Sequence, residues 1–162
     1  MKSIVYIILG GLVAIFVGAL LVTATVWPVI NVVETGKTPQ YPETQPQYYS
    51  TEPRRVFDEA LAGIEAMERW TLTSAVESTL VIEAERSGRL GFVDDVRIEV
   101  GPVTEFVTQV NVRSASRFGK GDFGQNARNI EVFFTELDDR LGALKFDPRK
   151  FEGEDEEETP EP

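Results

Sequence analysis

The sequence predicts an α+β fold: a two-layer sandwich in which a four-stranded antiparallel meander carries two helices on one face, in the order α-β-β-β-β-α, preceded by one transmembrane helix. Three observations carry that expectation. Ile4 to Val26 holds no charged side chain, apolar residues alternate with a period of two between Trp70 and Ser114, and stretches with apolar residues three and four apart lie on either side of that alternation. The implied divisions are an N-terminal anchor at 1–30, a Pro/Gln/Tyr linker at 31–50, an α+β domain at 51–145 and an acidic, disordered tail at 146–162.

The anchor rests on length and composition. The 23 residues from Ile4 to Val26 reach roughly 34 Å at about 1.5 Å each, enough for a hydrocarbon core of about 30 Å. Fourteen of them are Leu, Ile, Val or Phe. Trp27 stands where an interfacial aromatic belongs, and Pro28 ends the helix. A cleaved leader ending before Thr25 is the rival, but the apolar run exceeds the usual core of about 7 to 15 residues in such leaders. Lys2 is the one near-side charged residue, so the N-terminus is expected to stay in the cytoplasm and the chain to cross the inner (cytoplasmic) membrane once, with a periplasmic or otherwise extracytoplasmic domain. Membrane lipid would then be met through residues 4–27. Gly10, Ala14 and Gly18 form a stripe of small residues that would admit a weak homodimer, although such residues are ordinary in membrane helices.

Residues Asn31 to Glu52 contain Pro39, Pro42, Pro46, three Gln and three Tyr without helical or strand period, which predicts an extended tether. Ser50 or Thr51 then caps a helix with Pro53 in its first turn, whose apolar face is Val56, Phe57, Ala60, Leu61, Ile64 and Met67. Trp70 and Leu72 open a first strand; Leu80, Ile82 and Ala84 mark a second; Val96, Ile98 and Val100 a third; Phe106 to Ser114 a fourth. Gly88, Gly91 and Gly101-Pro102 turn the chain between them, and connections this short make the strands antiparallel neighbours. One face is apolar while the other carries Glu83, Glu85, Arg97, Glu99, Gln109, Asn111 and Arg113, so helices are needed on one side only.

The fourth strand runs into Ser114, Ser116 and Arg117 and then a loop in which Gly119, Gly121 and Gly124 allow sharp turns. Asp122 followed by Gln125 reads as a variant capping box that starts a helix at about Phe123, with Phe123, Ala127, Ile130, Phe133, Phe134, Leu137 and Leu141 on one face. The run SASRFGKGDFGQNARNI, with LGFVDDVRIEV before it, resembles the signature of the bacterial and plastid family known as domain of unknown function 1499, over about Tyr41 to Leu141. The resemblance implies no activity. It singles out Asp94, Asp95, Arg113, Ser114, Ser116, Arg117, Gly119, Asp122, Gly124, Asn126 and Arg128 as a binding or structural signature. Where the family pattern has Arg-Ile after position 128, this chain has Asn129-Ile130, a departure that weakens any reading built on a dense basic cluster there.

The amino-acid alphabet narrows the chemistry. With no His and no Cys there is no imidazole proton shuttle, no Ser-His or Cys-His nucleophile and no thiolate metal site, which weighs against an enzyme without closing the question. No catalytic residue, metal ligand or cofactor is therefore assigned. Asp94, Asp95 and Asp122 would suit an oxygen-ligated cation only if they converged, whereas adjacent strand residues point to opposite faces; a helix cap and Arg-Asp pairing explain the same residues. An anion held by Ser114, Ser116, Arg117 and the loop amides is opposed by Asp122, which already occupies that helix start. Asn126 and Arg128 would complete either arrangement or simply tie the loop down. The tail from Glu152 to Glu161 holds seven acidic residues, and removing them from a formal net charge of −11 leaves −4, so no nucleic-acid partner is expected. The expected function is a membrane-anchored envelope protein whose domain serves as a binding or structural module for a protein partner or envelope component. A hydrolase or metal-assisted enzyme using Asp95, Asp122 and Ser116, or a carrier of an apolar ligand, are the alternatives.

Overall fold

A computed structural model describes residues 2–26, 29–88 and 91–148, and within the first of these the side chains of 6–22. Helix α1 (Lys2–Val26) is followed by β1 (Val32–Glu34), β2 (Gln47–Tyr49), α2 (Pro53–Ala66), β3 (Trp70–Val76), β4 (Val81–Ser87), β5 (Val93–Pro102), β6 (Thr108–Ser116), α3 (Gln125–Leu141), a 3₁₀ turn at Gly142–Leu144 and β7 (Lys145–Phe146). Every pairing is antiparallel.

The expected four-stranded meander is corrected to a seven-stranded sheet. Strands β3, β4, β5 and β6 follow one another, but β6 does not form an edge: β1 pairs with Arg113–Ala115 and β2 with Thr108–Val110, and β7 continues beyond β2. The reason is hydrogen bonding. A nine-residue strand left as an edge would present a row of unpaired N–H and C=O groups, and the stretch expected as a tether supplies their partners. Strands of three residues are too short to display a period of two, so nothing in the Pro/Gln/Tyr pattern announces them. The boundary expected between domain and tail falls within β7, whose Phe146 belongs to the stretch expected as tail; residues 149–162 lie outside the described residues.

The transmembrane helix is corrected as well: among the described residues, no helix is long and apolar enough to cross a membrane. Helix α1 is present at Lys2–Val26, and its described side chains run from Tyr6 to Val22. Each of those side chains is exposed. Trp27 and Pro28, expected at the interface and at the helix end, lie outside the described residues.

Helices α2 and α3 cover the inner face of the sheet, where Ile82, Ala84, Val96, Ile98, Val100, Val110 and Val112 meet Val56, Phe57, Ala60, Ile64, Ile130, Phe133, Phe134, Leu137 and Leu141. Trp70 and Phe133 pack with ring centroids 6.4 Å apart, and Phe133 and Phe134 at 5.6 Å. Phe123, expected on the buried stripe of α3, is instead 63% exposed, because the helix starts two residues after it and Asn126 and Asn129 take the buried positions of the first turns.

Fully buried Tyr49 ties β2 to α3 by donating from its hydroxyl to Asp138 Oδ1 (2.9 Å). Burial, then the charge of Asp138 and this hydrogen bond, push the phenol well above its ordinary range. The raised folded-state value means that stability is complete below the unfolded-state pKa of about 10 and falls above it, since only the unfolded chain then releases the proton. Between pH ~10 and the folded-state value the group should remove about 1.4 kcal/mol of stability per pH unit, a slope that Tyr49→Phe abolishes in denaturant unfolding followed against pH.

Candidate functional site

The pleat of β5 sends Asp94, Val96, Ile98 and Val100 inward and Asp95, Arg97 and Glu99 outward. Register then places Arg86 of β4 and Ser116 of β6 on either side of Asp94, so the inner face ends in a polar row where α3 begins. This end is buried: Asp94 is 4% exposed, Ser114 and Asn126 0%, and Asn129 1%. Polar groups so placed need partners, and they satisfy one another. Ser116 donates from Oγ to Asp94 Oδ1 (2.7 Å) and Asn129 donates from Nδ2 to Asp94 Oδ2 (2.9 Å) and Ser114 Oγ (3.1 Å). Ser114 donates to Asn126 Oδ1 (2.6 Å), while Asn126 Nδ2 reaches the Asn31 carbonyl and Ser116 Oγ, both at 3.0 Å.

The loop closes over this network. Asp122 accepts from the Gly124 amide at Oδ1 (2.9 Å) and the Asn126 amide at Oδ2 (2.7 Å), so it satisfies the start of α3 from two residues before the cap. Gly124 is the N-cap itself, at φ 74° in the left-handed region that favours glycine. The expected capping box does not close, since Gln125 reaches forward to Asn129 Oδ1 (2.8 Å). The chain entering β1 holds the loop from the far side: the Ser116 amide donates to Asn31 O (2.9 Å), the Asp122 amide to Ile30 O (3.1 Å), and Asn31 Nδ2 to Gly119 O (3.0 Å).

Other signature residues serve the outer face. Arg117 clasps Asp95 through Nε (3.0 Å) and Nη2 (2.6 Å) and also pairs with Glu85, contacts that hold its guanidinium above the usual range. Arg113 is exposed on that face. Asp95 is therefore separated by the sheet from Asp94 and Asp122, and the grouping of Asp95, Ser116 and Asp122 is not formed.

Above the network lies a cleft of about 540 Å³ between the loop, the corner from α2 into β3, and the β4–β5 turn. Arg69, Arg86 and Arg128 line it together with Phe92, Phe118 and Phe123. These phenylalanines are 55%, 77% and 63% exposed, and Phe92 and Phe118 stack at 6.3 Å. Burial pushes the Arg86 guanidinium down; Asp94 pulls it up, and Arg69 and Arg128 push it down again, which records how closely these charges gather. Arg69 (φ 66°) and Phe123 (φ 51°), both non-glycine residues in the left-handed region, stand on this rim, a conformation that costs of order 1–3 kcal/mol per residue.

A family profile described as "Protein of unknown function (DUF1499)" matches residues 24–137, most of the chain and all of this loop, network and cleft. The chain belongs to the DUF1499 family. No curated protein matches it. Among solved structures, the di-domain ARO/CYC StfQ from the steffimycin biosynthetic pathway is similar at 11% identity and a TM-score of 0.45, covering 59% of this chain and 43% of that one.

In this DUF1499 chain the structure brings Asp94, Ser114, Ser116, Asp122, Gly124 and Asn126 into one buried network, with Gly119 tied to it through Asn31. It sends Asp95, Arg113 and Arg117 to the opposite face and Arg128 to the cleft rim. Sequence reasoning missed Asn129, Asn31, Arg69, Arg86, Phe92 and Phe118. A signal existed for Asn129, which falls three residues after Asn126 and four before Phe133 on the buried face of the helix. None existed for Arg69 and Arg86, which reach the cleft only through strand register and the α2–β3 corner.

Proposed function

We propose that this chain is a membrane-associated binding module, in which α1 meets lipid and the α+β sandwich presents the loop-rimmed cleft to a ligand. The observation that carries this reading is the continuity of the two parts. Helix α1 exposes Ile, Leu, Val and Phe on every side, with large side chains 46% to 73% exposed, and a helix apolar all round needs an apolar surrounding. Only a few residues later, Ile30 and Asn31 are hydrogen-bonded into the loop that rims the cleft. Binding is favoured over catalysis because both oxygens of Asp94 and both of Asp122 are engaged by fixed donors, and the Ser114 and Ser116 hydroxyls donate within the same network. Each carboxylate there is already held as an acceptor inside the network. Arg69, Arg128 and the three phenylalanines on the rim, by contrast, are exposed, with Arg86 half-buried between them and Asp94.

The test is flotation of the full chain with phosphatidylcholine vesicles through a density gradient. The chain should rise with the vesicles and stay with them through a high-salt wash, which strips proteins held by charge alone; recovery in the vesicle-free fraction would overturn the reading.

A further inference from the structure

We infer that the cleft is a headgroup site for an anionic phospholipid of the same membrane, with Arg69, Arg86 and Arg128 holding the phosphate and Phe92, Phe118 and Phe123 seated among the acyl chains. The inference deepens the membrane reading above and rests on it.

Charge is the first argument. In a chain with a formal net charge of −11, three guanidinia gather around one opening, and none of the three has an ion-pair partner among the described residues. The two carboxylates that line the same cleft, Asp94 and Asp122, have both oxygens hydrogen-bonded, while Arg69 and Arg128 are exposed, Arg86 is half-buried, and Arg128 donates only to the neutral Gln125 Oε1 (3.3 Å). Guanidinium is the side chain best matched to a phosphate, because its planar fork gives paired hydrogen bonds. Asp122 also takes the first amides of α3, so the anion is held by side chains and not by the helix start.

Shape is the second argument. A soluble anion needs no greasy rim, yet three phenylalanines crown these arginines, more than half exposed in each case. Exposed aromatic rings beside cations suit the boundary between headgroups and hydrocarbon. The left-handed backbone at Phe123 holds one of these rings outward and away from the core that its sequence pattern suggests.

Position is the third. Val29 packs against Gly121, 3.8 Å from where a Cβ would stand, and α1 ends at Val26. Three residues span at most about 11 Å, so the cleft rim lies at the exit of the apolar helix. If α1 is in lipid, the cleft lies at the headgroup layer.

The experiment uses the full chain in phosphatidylcholine nanodiscs, titrated calorimetrically with water-soluble dihexanoyl-phosphatidylglycerol, dihexanoyl-phosphatidylcholine and inorganic phosphate. Phosphatidylglycerol should bind saturably, phosphatidylcholine should not, and phosphate should bind more weakly than the lipid. Arg86→Ala should weaken phosphatidylglycerol binding about tenfold, as loss of one charge-assisted pair implies. Arg69→Ala, at an exposed position that leaves the core untouched, should act in the same direction and guards against a folding defect in the first variant. Phosphate binding as tight as the lipid would assign the site to a free anion and overturn the headgroup assignment. Equal binding of both lipids, no binding of any probe, or unchanged binding in both variants would overturn the site itself. A chain that associates with the nanodisc yet ignores phosphatidylglycerol sinks only this inference, whereas one that never associates sinks the membrane reading beneath it.

Discussion

Asn126→Ala should cost the protein about 3 kcal/mol of unfolding free energy, although the residue removed is polar and its truncation leaves the helix backbone intact. The side chain is fully buried and makes three hydrogen bonds, to Ser114 Oγ, Ser116 Oγ and the Asn31 carbonyl. Each contributes about 1 kcal/mol net, and removing one member leaves the others without partners in a place water does not reach. The same substitution unties α3 from β6 and from the chain entering β1, so the loop over the cleft should loosen too. Urea unfolding of the full chain followed by intrinsic fluorescence gives the value. Asn126→Asp preserves the shape but cannot donate to the Asn31 carbonyl, and it should be destabilised as well. Arg117→Ala is the contrast: it removes an exposed fork whose attraction is screened, so the midpoint should shift far less, and less still in salt. A shift below about 0.5 kcal/mol for Asn126→Ala would mean the network is incidental to stability.

Phe133→Ala should be the costliest single truncation, at about 3–5 kcal/mol. Phe133 is 1% exposed and lies between Trp70 and Phe134, at the point where α3 meets the strand that follows α2. The loss combines the transfer of a large apolar group with the hole left among neighbours held by two helices and a sheet, which cannot collapse far. Urea unfolding again provides the measurement, with Trp70 as a reporter in direct contact. A cost under about 1 kcal/mol would show that the layers relax around the gap and that packing here is loose.

Legibility in the sequence tracked the range of the interaction that decides each feature. The alternation of Val96, Ile98 and Val100 and of Val110 and Val112 is a local pattern, and the strands that carry it are where it places them. So is the three-and-four spacing of Val56, Phe57, Ala60 and Ile64. Adjacency on a pleated strand is also enough to send Asp94 and Asp95 to opposite faces. By contrast, β1 and β2 form because β6 has an edge to fill, with partners about 60 or more residues apart in sequence, and β7 pairs in turn with β2. The capping expectation erred by two residues because the left-handed Gly124 competes with Asp122 for the cap, and Phe123 moved from core to rim with it.

What the sequence by itself determined is the α+β class, the wet and dry faces of the meander strands, the absence of imidazole and thiol chemistry, and the stretch that forms the loop, because each depends on residue type and near-neighbour spacing. Tertiary structure alone decided which signature residues act together. Ser114, Ser116, Asp94, Asn126, Asn129 and Asn31 come from four separate segments, and only their burial at one end of the sandwich makes each the other's necessary partner. The gathering of Arg69, Arg86 and Arg128 under a phenylalanine rim is of the same kind, set by register across β4 and β5 and by the corner from α2 into β3. Charge and hydrogen bonding act over a few ångströms of space, and the chain brings those ångströms together only when it folds.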